Sequence, residues 1–135
     1  MQSRYLRIRA KRGTGFTLVE ILVVMSIIAL LLALAVPRYF QSVTRAQESV
    51  LKENLTLIRD ALDKYYADTG KYPATLAELV SKKYLRKLPD DPVAVAGGGG
   101  TWVVVPPDRP EKGGVFDVKS GAAGKSLSGV PYSQW

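Results

Sequence analysis

Residues 16–36 read FTLVEILVVMSIIALLLALAV, an apolar run in which the polar side chains are Thr17, Glu20 and Ser26. As an α-helix rising about 1.5 Å per residue, this run is roughly 30 Å long, which matches the hydrocarbon core of a bilayer. Basic residues and no acid precede it, and the positive-inside rule places such a flank in the cytoplasm. The sequence therefore predicts one membrane-spanning helix, with the rest of the chain on the far side of the membrane.

The positive charge of the chain is concentrated before this helix. The formal net charge is +7, from 19 Lys and Arg against 12 Asp and Glu. The basic residues of the first fifteen positions are Arg4, Arg7, Arg9, Lys11 and Arg12. A second cluster consists of Lys82, Lys83, Arg86 and Lys87, which is short and typical of a solvated face. The surplus charge therefore belongs mainly to a leader, and no nucleic-acid partner is expected.

Composition argues against catalysis. At 135 residues the chain has room for one modest domain, and it contains no Cys and no His, which removes thiolate metal sites and the usual general base. Asp90 and Asp91 stand between two prolines, where turn residues are expected rather than an acid-base pair. The run Gly124-Lys125-Ser126 lacks the earlier glycine of a phosphate loop, because Lys119 occupies that position. The chain is therefore not expected to be an enzyme.

Glu20 leaves several interpretations of the apolar run open. A carboxylate at mid-bilayer costs about 2 to 3 kcal/mol, so a function for Glu20 is one interpretation. In another, the residue lies in the first turn, where the helix dipole favours an anion and water is in reach. The run could also be a plain single-pass anchor, or a secretory signal peptide cut after Ala35 that releases a soluble binding domain.

Gly15-Phe16-Thr17-Leu18-Val19-Glu20, between a basic leader and an apolar helix, resembles the prepilin signature of type IV pilins and of the pseudopilins of type II secretion. The resemblance implies that a prepilin peptidase cuts between Gly15 and Phe16 and methylates the new amine of Phe16. A buried carboxylate needs an opposite charge or strong hydrogen bonds, and cleavage creates a positive amine at Phe16. We therefore expect Glu20 to pair with the Phe16 amine of an adjacent copy, a head-to-tail contact that generates an open helical filament.

Pro37 is expected to break the long helix, because proline lacks the N–H that bonds to the carbonyl oxygen of Ala33. In the resembled family a segment around such a proline can unwind within the filament. The alternative is that Pro37 simply ends the membrane helix.

The remainder of the chain predicts an α+β domain. Apolar residues spaced by three and four positions from Val43 to Tyr65 indicate an amphipathic helix that continues the membrane helix. Gly70 is suited to end it. Short strands are predicted at 101–105 and 114–118, with a third pairing near Tyr132. The prediction is a pilin-like α+β fold, with a long N-terminal helix packed on a small C-terminal antiparallel β-sheet. Its parts are a cleaved leader (1–15), a transmembrane and filament-core helix (16–36), an amphipathic helix (37–67) and a globular domain (68–135).

Two further motifs narrow the resemblance. Lys71-Tyr72-Pro73 and Leu88-Pro89-Asp90-Asp91-Pro92 are similar to landmarks of the major, G-type pseudopilin of type II secretion. This implies a structural subunit that polymerises into a periplasmic pseudopilus from the bacterial inner membrane, crossed once with a cytoplasmic N-terminus. The implied partners are other copies of the chain, the prepilin peptidase, minor pseudopilins and the inner-membrane assembly platform. The alternative is a type IV pilin of a surface fibre for adhesion, motility or DNA uptake.

Calcium is the cofactor that the resemblance raises, because major pseudopilins often hold it in the C-terminal loop. Asp117 and Ser120 are the candidate ligands in this sequence, whereas Ala123 stands where the family pattern has an acid. Calcium typically takes six to eight oxygen ligands. No cofactor is required by the sequence, and the alternative is an ion-free loop held by packing of its aromatic residues, Tyr132 and Trp135, with Trp102.

Overall fold

The computed structural model describes residues 13–98 and 102–135. Its helices are α1 (Leu18–Thr69), α2 (Ala77–Ser81) and α3 (Pro92–Ala96), its strands are β1 (Val103–Val105) and β2 (Asp117–Lys119), and short 3-10 turns span Pro110–Lys112 and Tyr132–Gln134. The basic part of the predicted leader (residues 1–12) and the start of the first predicted strand at Thr101 lie outside the described residues. The chain divides after Pro37 into two compact units.

Helix α1 extends through 52 residues, because an apolar run and an amphipathic run follow each other without a glycine. It ends one residue before Gly70, which has a φ of 73° and donates its N–H to the carbonyl oxygen of Tyr66 at 2.8 Å. Glycine adopts this left-handed conformation without the steric cost of a Cβ. The predicted stop at Gly70 is therefore confirmed.

The helix break predicted at Pro37 is not present in this structure, because α1 continues through the proline. Proline inside a helix costs about 3 kcal/mol through a lost hydrogen bond and a clash with the preceding turn. The flanking residues ALAV and RYFQ contain no second helix breaker, so the helical bonds on either side maintain the helix. The α-helix therefore does not end at Pro37, while the end of the membrane-spanning part at this residue and unwinding within a filament both stay predictions.

The sheet consists of two strands among the described residues. Strands β1 and β2 pair antiparallel, with Val104 opposite Val118. The second strand begins later than predicted, because the N–H groups of Gly114 and Val115 donate to the carbonyl oxygen of Pro73 at 3.1 and 3.0 Å. The third pairing is a single bridge between Lys125 and Pro131. The small antiparallel sheet is confirmed, with shorter strands than expected.

The core of the second unit forms where the apolar face of α1 packs on the C-terminal residues. Leu51, Ile58 and Leu62 are at most 1% exposed, and their spacing of seven and four places them on one helix face. The other buried apolar residues are Leu55, Ala61, Leu79, Leu85, Ala94, Trp102, Val115, Val118, Ala122 and Tyr132. The predicted α+β layout, a long helix packed on a small sheet, is therefore confirmed.

Candidate functional site

The N-terminus of α1 carries a reciprocal pair of hydrogen bonds between Thr17 and Glu20. The Thr17 N–H donates to Glu20 Oε2 at 2.8 Å, and the Glu20 N–H donates to Thr17 Oγ1 at 3.2 Å. This is a capping box, which satisfies N–H groups that the first helical turn leaves unpaired. The carboxylate also lies at the positive end of the helix dipole. Glu20 therefore has a local partner in the single chain.

The predicted cleavage site lies directly before this capping box. Gly15 and Phe16 precede α1 in irregular backbone, and both are exposed; the Phe16 side chain is 86% exposed. A peptidase acts most readily on exposed backbone that regular structure does not hold. The structure thus brings Phe16, Thr17 and Glu20 together at one end of the helix, while cleavage after Gly15 stays a prediction.

The sequence analysis missed the role of Thr17. The pattern Thr17-Leu18-Val19-Glu20 before an apolar run is itself a capping-box signal. The two interpretations of Glu20, as a partner for another copy or as a shallow acid in the first turn, do not involve Thr17. The second of these interpretations agrees with the position of Glu20 in the single chain.

The apolar surface of α1 before Pro37 is uncovered. Its large apolar side chains are between 43% and 77% exposed, and the mean hydropathy of its most apolar window is 2.9. The polar hydroxyl in this stretch, Ser26, donates to the carbonyl oxygen of Leu22 at 2.7 Å, so it is satisfied within the helix. Such a surface is suited to lipid or to apolar faces of other helices.

The two residues predicted to bind calcium are engaged with other partners. Asp117 Oδ1 accepts from Arg59 Nε at 2.8 Å and from the Val118 N–H at 2.7 Å. Ser120 donates its hydroxyl proton to Asp91 Oδ2. Within residues 13–98 and 102–135, no three His, Cys, Asp or Glu side chains gather as a metal site requires. A guanidinium beside Asp117 repels a divalent cation, so these residues do not fit a calcium site.

Asp91 is a buried helix cap that sequence reasoning identified only as a turn residue. It is 2% exposed, and its Oδ1 accepts from the N–H groups of Val93 and Ala94 at 3.0 and 2.9 Å. Aspartate followed by proline is a recognised start signal for a helix, so the sequence contained the information for this cap. Its contact with Ser120 depends on the fold and had no local signal.

Glu48 is the second acid that sequence reasoning missed. It is 9% exposed, and its Oε1 accepts from the Tyr132 hydroxyl at 2.7 Å and from the Leu127 N–H at 2.8 Å. Burial, together with the hydrogen bond to this carboxylate, raises the pKa of Tyr132 to about 12. A single polar position on an amphipathic helix gives no sequence signal for such a contact.

Comparison with known proteins agrees with this geometry. Residues 10–36 match the family described as the prokaryotic N-terminal methylation motif. Together with a capped, uncovered apolar helix and the α+β unit that follows, this match defines a pilin-like protein. Type II secretion system core protein G of Pseudomonas aeruginosa is 38% identical, over 61% of this chain and 69% of that protein. The protein of the same name from Klebsiella michiganensis is 31% identical, over 75% and 79%. The chain belongs to the family of type II secretion system core protein G.

A fimbrial protein is also similar. EcpC of Eikenella corrodens is 32% identical, over 84% of this chain and 71% of that protein. No solved structure matches the chain significantly. The uncovered apolar helix and the family membership fit a membrane-anchored subunit.

Proposed function

We propose that this chain is a structural subunit that polymerises into the periplasmic pseudopilus of a type II protein secretion system, and that it is not an enzyme. The observation that carries the proposal is the uncovered apolar helix before Pro37, with one acid, Glu20, in its first turn. Lipid covers this surface in the membrane, and the helices of neighbouring copies cover it in a filament. Membership of the core protein G family supports the secretion context.

The proposed assembly step begins with cleavage between Gly15 and Phe16 and N-methylation of Phe16. Cleavage creates a positive amine beside the capping box of the same helix. A carboxylate removed from water among apolar helices is costly unless an opposite charge is near. Glu20 of an incoming copy therefore pairs with the Phe16 amine of the copy before it. Because each copy offers one acid and one amine, the contact repeats head to tail and fixes the axial offset of the filament.

The proposed location follows from the charge around the membrane helix. The basic leader holds the N-terminus in the cytoplasm, so the second unit lies on the periplasmic side of the bacterial inner membrane. The proposed partners are other copies of the chain, the prepilin peptidase, minor pseudopilins and the inner-membrane assembly platform. Nucleic acid is not among the proposed partners.

The experiment combines processing with assembly in a host that contains the peptidase and the secretion apparatus. Glu20→Gln keeps the shape of the side chain and removes its charge. We expect this variant to be cleaved at Gly15 and to form no filaments. Glu53→Gln is the matched control, because Glu53 is an exposed acid on the same helix, and it should assemble normally. Normal filaments from Glu20→Gln would refute the pairing.

Mass spectrometry of the mature N-terminus tests the processing step separately. N-methylated Phe16 agrees with the proposal. A terminus at Val36 indicates the secreted soluble domain considered in the sequence analysis, and an intact leader in a host that contains the peptidase contradicts the proposal.

A type IV pilin of a surface fibre is the second candidate, and the similarity to a fimbrial protein supports it. The two functions predict different consequences of deleting the gene. Loss of exported enzymes from the medium, with no change in surface fibres, indicates a pseudopilin. Loss of surface fibres with normal export indicates a pilin.

A further inference from the structure

The C-terminal segment, residues 120–135, contains little regular structure. Its secondary structure consists of the 3-10 turn Tyr132–Gln134 and the single bridge from Lys125 to Pro131. Backbone held in one conformation loses about 1 to 2 kcal/mol of entropy per residue. Among the described residues, the backbone hydrogen bonds of this segment join residues within it, so side-chain contacts attach it to the rest of the domain. Three charged residues provide such contacts. Arg59 binds residues just before the segment, Asp91 binds its first residue, and Glu48 binds residues towards its end.

Arg59 of α1 binds strand β2 just before the C-terminal segment. Its Nε donates to Asp117 Oδ1 at 2.8 Å, and its Nη2 donates to the carbonyl oxygen of Val118 at 2.9 Å. One cationic group thus binds a carboxylate oxygen and a backbone carbonyl oxygen, which are the two protein oxygen types that calcium prefers. The Arg59 and Asp117 side chains are 40% and 31% exposed, so solvent screens the pair only partly.

Asp91 holds the start of the segment. Its Oδ2 accepts the Ser120 hydroxyl, while Ser120 Oγ accepts the Ala122 N–H at 3.1 Å. Both Asp91 and Ser120 are 2% exposed. Since Asp91 Oδ1 is occupied by the cap of α3, both oxygens of this buried carboxylate have protein donors.

Glu48 and the aromatic residues hold the end of the segment. Glu48 binds the Leu127 N–H and the Tyr132 hydroxyl. The Tyr132 ring packs edge-on against Trp135, with ring centroids 5.3 Å apart, and Lys52 Nζ lies 4.7 Å from the Trp135 ring centroid. In the part of the chain that the structure describes, no buried side-chain polar atom lacks a partner.

We propose that the Arg59 guanidinium, bound to Asp117 and Val118 just before this segment, supplies the positive charge that a bound calcium ion would otherwise supply. The chain therefore folds without calcium. Asp117 Oδ1 and the Val118 carbonyl oxygen already accept hydrogen bonds from Arg59, and the Ser120 hydroxyl donates to Asp91. The inference concerns folding only and does not depend on the proposed filament.

The direct test is thermal unfolding of the full-length protein in detergent, followed by the fluorescence of Trp102 and Trp135. The midpoint is compared in excess calcium chloride and in excess chelator. A ligand that binds only the folded state raises the midpoint with its concentration. We expect the same midpoint under both conditions. A midpoint that rises with calcium would overturn the proposal, and this measurement requires no variant.

A variant pair tests whether Arg59 holds the segment. Arg59→Gln should lower the midpoint of thermal unfolding by several degrees, because the hydrogen bonds of Arg59 to Asp117 and to the Val118 carbonyl oxygen are lost. The control is Lys64→Gln on the same helix, which removes an exposed ion pair of equal length, Lys64 Nζ to Asp60 Oδ2 at 2.8 Å, and should leave the midpoint nearly unchanged. Equal effects of the two substitutions would contradict the role of Arg59. Should Arg59→Gln not fold, the calcium comparison on the unaltered protein remains decisive.

Discussion

Raising the pH above about 10 should weaken the contact between Tyr132 and Glu48. The ordinary pKa of tyrosine is 10, and burial together with the bond to Glu48 raises it to about 12 in the folded chain. The neutral phenol is thus favoured by folding. Its contribution is fully present below pH 10 and is lost as the pH rises towards 12, because the unfolded chain ionises first. A difference of two pKa units corresponds to about 3 kcal/mol in the free energy of unfolding.

The assay compares this protein with Tyr132→Phe by chemical denaturation across that pH range. The substitution removes the hydroxyl but keeps the ring, and Glu48 retains the Leu127 N–H. Near neutral pH we expect the variant to be less stable by about 1.5 to 3 kcal/mol, the value of a hydrogen bond to a charged group. As the pH approaches 12 the difference should vanish or reverse. Other tyrosines and lysines titrate in both proteins and cancel, so a difference that does not change with pH would refute the assignment.

Three further substitutions test local features of the fold. Thr17→Val should remove the capping box and destabilise the start of α1 by about 1 kcal/mol, which hydrogen exchange would show as faster exchange of the amides of residues 18–20. Thr17→Ser should keep these amides protected. Equal exchange rates in the two variants would contradict the cap. Ile58→Ala, at a fully buried position, should lower the free energy of unfolding by about 2 to 5 kcal/mol, and Leu57→Ala, 47% exposed, by much less. Gly113→Ala should destabilise the domain by more than Gly97→Ala. The φ at Gly113 is 122°, and a Cβ there would lie 2.1 Å from a backbone carbonyl oxygen, whereas the corresponding distance at Gly97 is 3.5 Å. Similar denaturation midpoints of the two variants would argue against this close approach.

The features of the fold that depend on local sequence could be predicted from the sequence. An apolar run, followed by apolar residues spaced three and four positions apart, indicates α1 independently of the rest of the chain. Gly70 ends that helix because its left-handed conformation is a property of the residue itself. The change from an uninterrupted apolar run to an amphipathic one is also visible in the sequence, and the division of the helix that it indicates stays a prediction.

The features that depend on long-range contacts could not be predicted. Gly114 and Val115 have the composition of a strand, but they bond to the carbonyl oxygen of Pro73 instead of a strand partner. Thr75 and Glu78 have capping-box spacing, yet the Glu78 carboxylate accepts from the Tyr65 hydroxyl at 3.0 Å, and the Thr75 side chain makes no cap. In each case a tertiary partner competes with the local pattern.

The same distinction applies to the candidate site. Phe16, Glu20 and the apolar helix are adjacent in sequence, so their proximity at one helix end was predictable. The pairs Arg59 with Asp117 and Glu48 with Tyr132 join residues far apart in the chain. Nothing in the local pattern distinguishes these charges from solvated ones on the polar face of α1.

The filament structure at near-atomic resolution tests the central claim most directly, through the distance from the Phe16 nitrogen of one copy to the Glu20 carboxylate of the next. We predict an ion pair with a nitrogen-to-oxygen distance of at most about 4 Å. A Glu20 carboxylate that remains bonded to Thr17 of its own chain, with every neighbouring Phe16 amine well beyond that distance, would contradict the account.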